Sequence, residues 1–159
     1  MVTGFIPLLQ KDYGKPYDCT LTCITAILSR GKNVEETYEK VEKVAEKHFY
    51  DGDNYGTIPI FIKSIIDEVA KVNSKRGYGK GIGYNWETIK TIIRTNKPII
   101  LSMQNDGRNY YKNHSVTIIG FREYNGGELK LLVIYDNWKK SVSYVDYDKL
   151  NVISSINYF

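Results

Sequence analysis

A cysteine and a histidine together can carry out acyl transfer, and this sequence holds only two residues of each type. Cys19 stands at the start of a run in which Leu21, Ile24 and Leu28 recur at helical spacing. Free N–H groups and the positive dipole end at a helix N-terminus stabilise a thiolate, so we expect the pKa of the Cys19 thiol to be lowered. Cys19 is therefore the predicted nucleophile.

The second cysteine, Cys23, is the alternative nucleophile. It lies one helical turn beyond Cys19, on the face that carries Ile24 and Leu28. A small apolar thiol on such a face usually packs in the core. We therefore predict that Cys23 is structural. Both cysteines are predicted to be free thiols, because a spacing of four in a helix seldom aims two side chains at each other for a disulfide.

His114 is the predicted general base. It opens the strand-like run HSVTIIGF directly after a polar loop, which would place its ring at the edge of a sheet beside a cleft. The other histidine, His48, ends an amphipathic helical pattern, where a cation faces the carbonyl end of the helix. His48 is predicted to be structural.

Asp136 is predicted to orient the imidazole of His114. It follows the run LKLLVIY, and an antiparallel hairpin between this run and HSVTIIGF brings the start of one strand opposite the end of the other. His114 and Asp136 should then be neighbours. If Asp136 does not orient His114, the neighbouring Asn137 is the residue predicted to do so. In the alternative interpretation, Asp136 and Asn137 only begin a turn, as Asp and Asn commonly do.

A side-chain amide upstream of the nucleophile can stabilise the oxyanion together with the N–H of the nucleophile itself. Gln10 is the only glutamine before Cys19, and Gln104, after the run IILSM, is the alternative. The predicted catalytic set is Cys19, His114, Asp136 and Gln10. Such a set uses neither a metal nor an organic cofactor.

Hydrophobic periodicity predicts helices in the first part of the chain and strands in the rest. The helices are expected from Cys19 to about Gly31, over 34–48, over 58–72 with Thr57 as N-cap, and over 86–95 with Asn85 as N-cap. A glycine-rich loop is expected over 77–83, and strands are expected within 99–103, 114–121, 129–135, 141–145 and 153–159. This order indicates a single α+β domain over 1–159, with N-terminal helices packed on a C-terminal antiparallel β-sheet.

The composition excludes several other classes of protein. With 42% hydrophobic and 25% charged residues, the chain has the composition of an ordinary globular protein rather than a disordered one. A net charge of +4 without a dense basic cluster argues against nucleic-acid binding. No run approaches the ~20 apolar residues that cross a bilayer. The two cysteines and two histidines lack paired ligand spacing, so no zinc site is expected.

Localisation depends on the true start of the chain. The opening MVTGFIPLLQ lacks the basic flank and the apolar length of a signal peptide. We expect a cytoplasmic protein if Met1 is the natural start, and a secreted one if a leader was removed.

Four stretches together resemble the bacteriocin-leader (double-glycine) peptidase family and its stand-alone relatives in the papain-like clan. They are YDCTLTCITAIL, preceded by Gln10, and NKPIILSM, NHSVTIIGF and VIYDNW. The order Gln, Cys, His, Asp is that of the family, and the resemblance covers residues 6–31 and 86–145. It implies a papain-like fold and a cysteine peptidase that acts on a peptide or protein. Residues 32–85 hold no motif of this kind.

Other functions remain open at this point. The same four residues could serve an amidase, a deamidase or a transglutaminase. A catalytically silent papain-like module could instead use the 14 tyrosines of the chain as a contact surface. A carbohydrate-binding role would use Tyr110, Tyr111 and Trp138 near the predicted cleft.

Overall fold

The computed structural model describes residues 1–104 and 111–159 and has an α+β arrangement, as the sequence predicts. The helices are α1 (Cys19–Ser29), α2 (Val34–Glu46), α3 (Ile62–Ala70) and α4 (Trp86–Arg94). The strands are β1 (Lys75–Tyr78), β2 (Ile99–Met103), β3 (His114–Tyr124), β4 (Leu129–Tyr135), β5 (Ser143–Asp146) and β6 (Ser155–Tyr158).

The six strands form one antiparallel sheet in the order β1-β6-β2-β3-β4-β5. Side chains that alternate along a strand point to opposite faces, and β2 illustrates the consequence. Ile100 packs in the core that contains α1, α2 and α3, whereas Ile99 and Leu101 pack in the core that contains α4. The sheet therefore separates two apolar cores, and α1 lies across one of its faces.

The start of α1 and the cap of α4 follow local sequence signals. Helix α1 begins at Cys19, as predicted. Asn85 caps α4 by accepting a hydrogen bond from the N–H of Thr88, and the Thr88 side chain accepts in turn from the Asn85 N–H. This reciprocal capping box confirms the predicted start of α4.

Two local predictions were wrong. The third helix begins at Ile62, because a separate 3₁₀ turn (Pro59–Phe61) precedes it, and Thr57 makes no capping hydrogen bond with the described residues. Gly77, predicted to lie in a loop, belongs to strand β1, which pairs with β6 at the edge of the sheet. A side chain at Gly77 would meet the carbonyl oxygen of Gly83 at 2.6 Å, so the glycine is required by a close backbone approach.

Candidate active site

The N-terminal end of α1 packs against the start of β3, which brings Cys19 and His114 to the same cleft. The two elements are joined by a buried hydrogen bond of 2.8 Å between the hydroxyls of Thr20 and Ser115. Ser115 is also 3.0 Å from the hydroxyl of Ser102 on β2. These hydroxyls fix the first turn of α1 relative to the sheet, and they lie beside both predicted catalytic residues.

The cleft has a volume of about 600 Å³ and carries no formal charge at neutral pH among its described lining residues. Besides Cys19, His114 and their neighbours, the lining includes Tyr17, Tyr55, Ile58, Met103, Gln104 and Asn113. The aromatic and aliphatic side chains in its wall fit a segment of polypeptide.

The thiol of Cys19 does not have the lowered pKa that the sequence predicts. Burial raises its pKa, and hydrogen bonds with Ser115 and Thr20 only partly oppose this rise. A helix dipole contributes about 0.3–1 kcal/mol, which is less than one pKa unit, and burial is the largest influence on the pKa of this thiol. Within the described residues, no hydrogen bond joins the Cys19 thiol to His114.

We therefore expect Cys19 to react as a largely protonated thiol in the unliganded protein. Its rate of alkylation by iodoacetamide should keep rising with pH beyond the ordinary thiol pKa of about 8.5, because the thiolate fraction is still growing there. Mass spectrometry of the labelled residue from pH 5 to 10 measures this profile. A rate that is already maximal at pH 6 would instead indicate a thiolate–imidazolium pair.

His114 is buried and is held by its Nε2 atom. Nε2 lies 2.7 Å from the backbone carbonyl oxygen of Asp136, which can only accept, so Nε2 donates. Burial lowers the pKa of His114, while Asp136 opposes that shift. In the neutral ring, Nδ1 then carries the lone pair that can take a proton. The ring stacks on Trp138, at a centroid distance of 4.4 Å, and on Tyr111, at 5.6 Å.

The hydrogen bonds of the Asp136 carboxylate stabilise the turn after β4, and the carboxylate acts on the imidazole through its charge. Its oxygens accept hydrogen bonds from the hydroxyls of Tyr111 and Ser143 and from the N–H groups of Trp138 and Lys139. Burial acts to raise the pKa of this carboxyl, but the hydrogen bonds outweigh it and lower the pKa overall. Asp136 thus contacts His114 through its backbone and anchors the turn through its side chain.

Asn137, the substitute considered for orienting His114, instead links α1 to β3. Its Nδ2 lies 3.1 Å from each of three acceptors, the carbonyl oxygens of Cys19 and Ser115 and the sulfur of Cys23. The residue is buried and has a left-handed backbone with φ of 66°. This conformation, which Asn tolerates well, turns the amide toward α1. No local signal in the sequence predicts this contact.

Gln10 is buried in a short 3₁₀ helix (Gln10–Tyr13) beside the turn that contains Asn137. Its backbone N–H donates to the carbonyl of Asn137 at 2.9 Å, and its side-chain Nε2 donates to the carbonyl of Pro16 at 2.6 Å. Its Oε1 has no hydrogen-bond partner in the described part of the chain. Gln10 is absent from the lining of the cleft, which includes the alternative, Gln104.

The remaining cysteine and histidine have structural surroundings. Cys23 is fully buried, and this burial raises the pKa of its thiol to about 12. The Nε2 of His48 lies 3.2 Å from a carboxylate oxygen of Glu68 on α3, away from the cleft lining. Both cysteines are free thiols, and no group of three or more His, Cys, Asp or Glu among the described residues is arranged to hold a metal ion.

The aromatic residues that a carbohydrate-binding role would use lie in different surroundings. Tyr111 is buried and donates its hydroxyl to Asp136, so its ring is part of the packing around His114. Trp138 is half-exposed and covers the imidazole. Tyr110 lies outside the described residues. None of the helices in the described ranges has the length and apolar character that crossing a membrane requires.

Comparison with known protein families gives a match that extends over nearly the whole chain. The model of the Peptidase_C39 like family matches residues 2–158. No curated protein matches the chain.

Proposed function

Because the chain belongs to the Peptidase_C39 like family, whose members have a papain-like fold, we propose that it is a cysteine peptidase with Cys19 as nucleophile. The observation that carries this proposal is the cleft in which the first residue of α1 and the first residue of β3 meet. In this proposal, His114 is the general base and Asp136 positions it through the backbone carbonyl. The substrate is a peptide or protein segment.

The proposed reaction proceeds through a thioester. The Sγ–H proton of Cys19 passes to Nδ1 of His114 as the sulfur attacks the carbonyl carbon of the substrate. The tetrahedral intermediate collapses when Nδ1 returns this proton to the departing amine. Water then gives a proton to Nδ1 and attacks the thioester, and the acid product leaves as the thiol is reprotonated. Protons balance over the cycle.

In this mechanism, the Cys19 thiol and the His114 imidazole are both uncharged before the substrate binds. Burial favours the protonated thiol and the neutral imidazole, so proton transfer takes place only when the substrate is bound. The imidazole must then come within hydrogen-bond distance of the sulfur, and such contacts often tighten only in the enzyme–substrate complex. The Trp138 ring stacks on the imidazole and packs against it.

The oxyanion is assigned to two donors. The backbone N–H of Cys19 lies at the N-terminus of α1, where the intrahelical pattern leaves it without an acceptor. The side-chain amide of Gln10 has a second N–H besides the one that it donates to Pro16. Gln10 must shift toward the cleft to supply it, since the residue does not line the cleft in the unliganded structure.

A mixture of unstructured peptides of varied sequence tests the proposal, since it does not require the natural substrate to be identified first. We expect the protein to generate new peptide termini, detected by mass spectrometry, and to lose this activity after Cys19 has been alkylated with iodoacetamide. Protein incubated without iodoacetamide is the control. Unchanged cleavage by alkylated protein would contradict the proposal.

The absence of any cleavage would favour the silent binding module. One observation supports that second candidate, namely that no hydrogen bond joins Cys19 and His114 in the described structure. Amidase, deamidase and transglutaminase chemistry would use the same residues and is distinguished by its products, namely ammonia release or a new amide bond.

A further inference from the structure

A buried carboxylate precedes the proposed nucleophile and has no part in the mechanism above. Asp18 is fully buried, although it is adjacent to the partly exposed Cys19. Its two carboxylate oxygens accept hydrogen bonds from the hydroxyls of Tyr38, on α2, and Tyr50, in the segment after α2. A buried carboxylate needs such donors, because an unpaired one is costly to remove from water.

The position of Asp18 makes this arrangement unusual. Asp18 is the N-cap residue of α1, where an aspartate side chain ordinarily accepts from the N–H groups of the first turn. Here the side chain makes no capping hydrogen bond. Only the backbone carbonyl of Asp18 accepts hydrogen bonds from the helix, and both come from Thr22, from its N–H and from its hydroxyl. The carboxylate is turned away from the end of the helix at which Cys19 stands.

The surroundings hold both tyrosine donors in place. The ring of Tyr13 stacks on Tyr38 with centroids 4.1 Å apart, and the Lys15 ammonium lies 5.8 Å from the ring centroid of Tyr50. Lys15 is itself paired with Glu42 on α2. Burial raises the pKa of both tyrosine hydroxyls, so both keep the proton that they donate.

We propose that Tyr38 and Tyr50 act as positioning residues that hold the Asp18 carboxylate away from the N-terminus of α1. The positive end of the helix then remains available for the Cys19 sulfur and for the oxyanion beside the Cys19 N–H. This inference rests on the proposal that Cys19 is the nucleophile. An aspartate that caps the helix with its side chain would place a negative charge beside the Cys19 sulfur. Because the two tyrosines hold the Asp18 carboxylate elsewhere, Asp18 can precede Cys19 without this effect.

Removal of both hydroxyls should release the carboxylate toward the N–H groups of the first turn of α1, which are the donors that an N-cap aspartate ordinarily uses. A negative charge there would disfavour the Cys19 thiolate. In Tyr38→Phe/Tyr50→Phe we expect alkylation of Cys19 by iodoacetamide at pH 8 to slow about twofold to fivefold, the range that a charge at a helix end produces.

The second measurement compares this double variant with a triple variant that also lacks the Asp18 carboxylate. Asp18→Ala/Tyr38→Phe/Tyr50→Phe has no carboxylate that could move to the helix N-terminus, so the alkylation rate of Cys19 should return to the wild-type rate. A purely structural role also allows recovery, because the double variant buries a carboxylate without donors and the triple variant removes it. The rates are therefore compared at about 0.05 M and about 1 M salt, because salt screens a charge at the helix end but does not repair a packing defect. A loss in the double variant that does not shrink at high salt overturns the inference.

Tyr84→Phe is the control variant. It removes a buried hydroxyl bonded to Ser154 on the other side of the sheet and should leave the alkylation rate of Cys19 unchanged.

If the double variant does not fold, as judged by near-UV circular dichroism, the same comparison is made between Tyr50→Phe and Asp18→Ala/Tyr50→Phe. The inference is overturned if the variant without the tyrosine donors reacts like wild type, or if removal of Asp18 fails to restore the rate. Alkylation needs no substrate, so this result is independent of whether any peptide is cleaved.

Discussion

Cys19→Ala is expected to lower kcat/KM for peptide cleavage by a factor on the order of 10⁵, the largest effect that we predict for any single substitution. The covalent route through a thioester disappears, and only substrate binding and the N–H groups of the oxyanion site remain to accelerate hydrolysis. The measurement is the rate of product formation from a peptide that the wild-type protein cleaves, at substrate concentrations well below KM.

Cys23→Ala is the matched control for this variant. Cys23 lies one turn along the same helix, is fully buried and contacts the side chain of Asn137. Its replacement should cost about 1 kcal/mol of stability through lost packing, while kcat/KM stays within about threefold of the wild-type value. Comparable losses of activity in both variants would contradict the assignment of Cys19, and so would an active Cys19→Ala.

His114→Gln is expected to lower kcat by about 10³–10⁴, because no general base remains to take the thiol proton or to return it to the departing amine. Glutamine has a similar size, and its side-chain amide can still donate to the backbone carbonyl of Asp136, so the local packing is largely kept. Single-turnover measurement of thioester formation isolates this step. His48→Gln is the matched control and should leave kcat unchanged, because His48 contacts Glu68 away from the cleft lining.

Asp136→Asn distinguishes the two ways in which His114 can be oriented. If a carboxylate held the imidazole, loss of its charge would cost about 10⁴ in kcat, the loss that the same change causes in a serine-protease triad. The backbone carbonyl that accepts from Nε2 persists in the asparagine variant, so we expect a loss of only about tenfold. The variant should also lose about 2 kcal/mol of stability, because its amide cannot accept all four hydrogen bonds of the carboxylate. A loss close to that of His114→Gln would contradict this interpretation.

The elements around the candidate site could be predicted from the sequence because their signals are local. Apolar spacing predicts a helix that starts at Cys19, Asn85 and Thr88 form a capping box within four residues, and the β-branched run from His114 predicts a strand. The contact between His114 and Asp136 also follows from the sequence, because two adjacent strands in a hairpin fix which ends meet. Each of these inferences uses only the periodicity of a helix or a strand, or the pairing of two consecutive strands joined by a short connection.

The chemical state of the site was decided by the tertiary structure. The pKa of the Cys19 thiol depends on how much of the protein surrounds it, and packing of α1 on the sheet produces the burial that raises it. Which atom of Asp136 faces His114, and where Asn137 points, depend on the turn after β4 and on partners distant in sequence. The hydrogen bonds of Asp18 come from residues 20 and 32 positions away. Burial and hydrogen bonding between distant residues exist only once the chain has packed, so no local pattern encodes them.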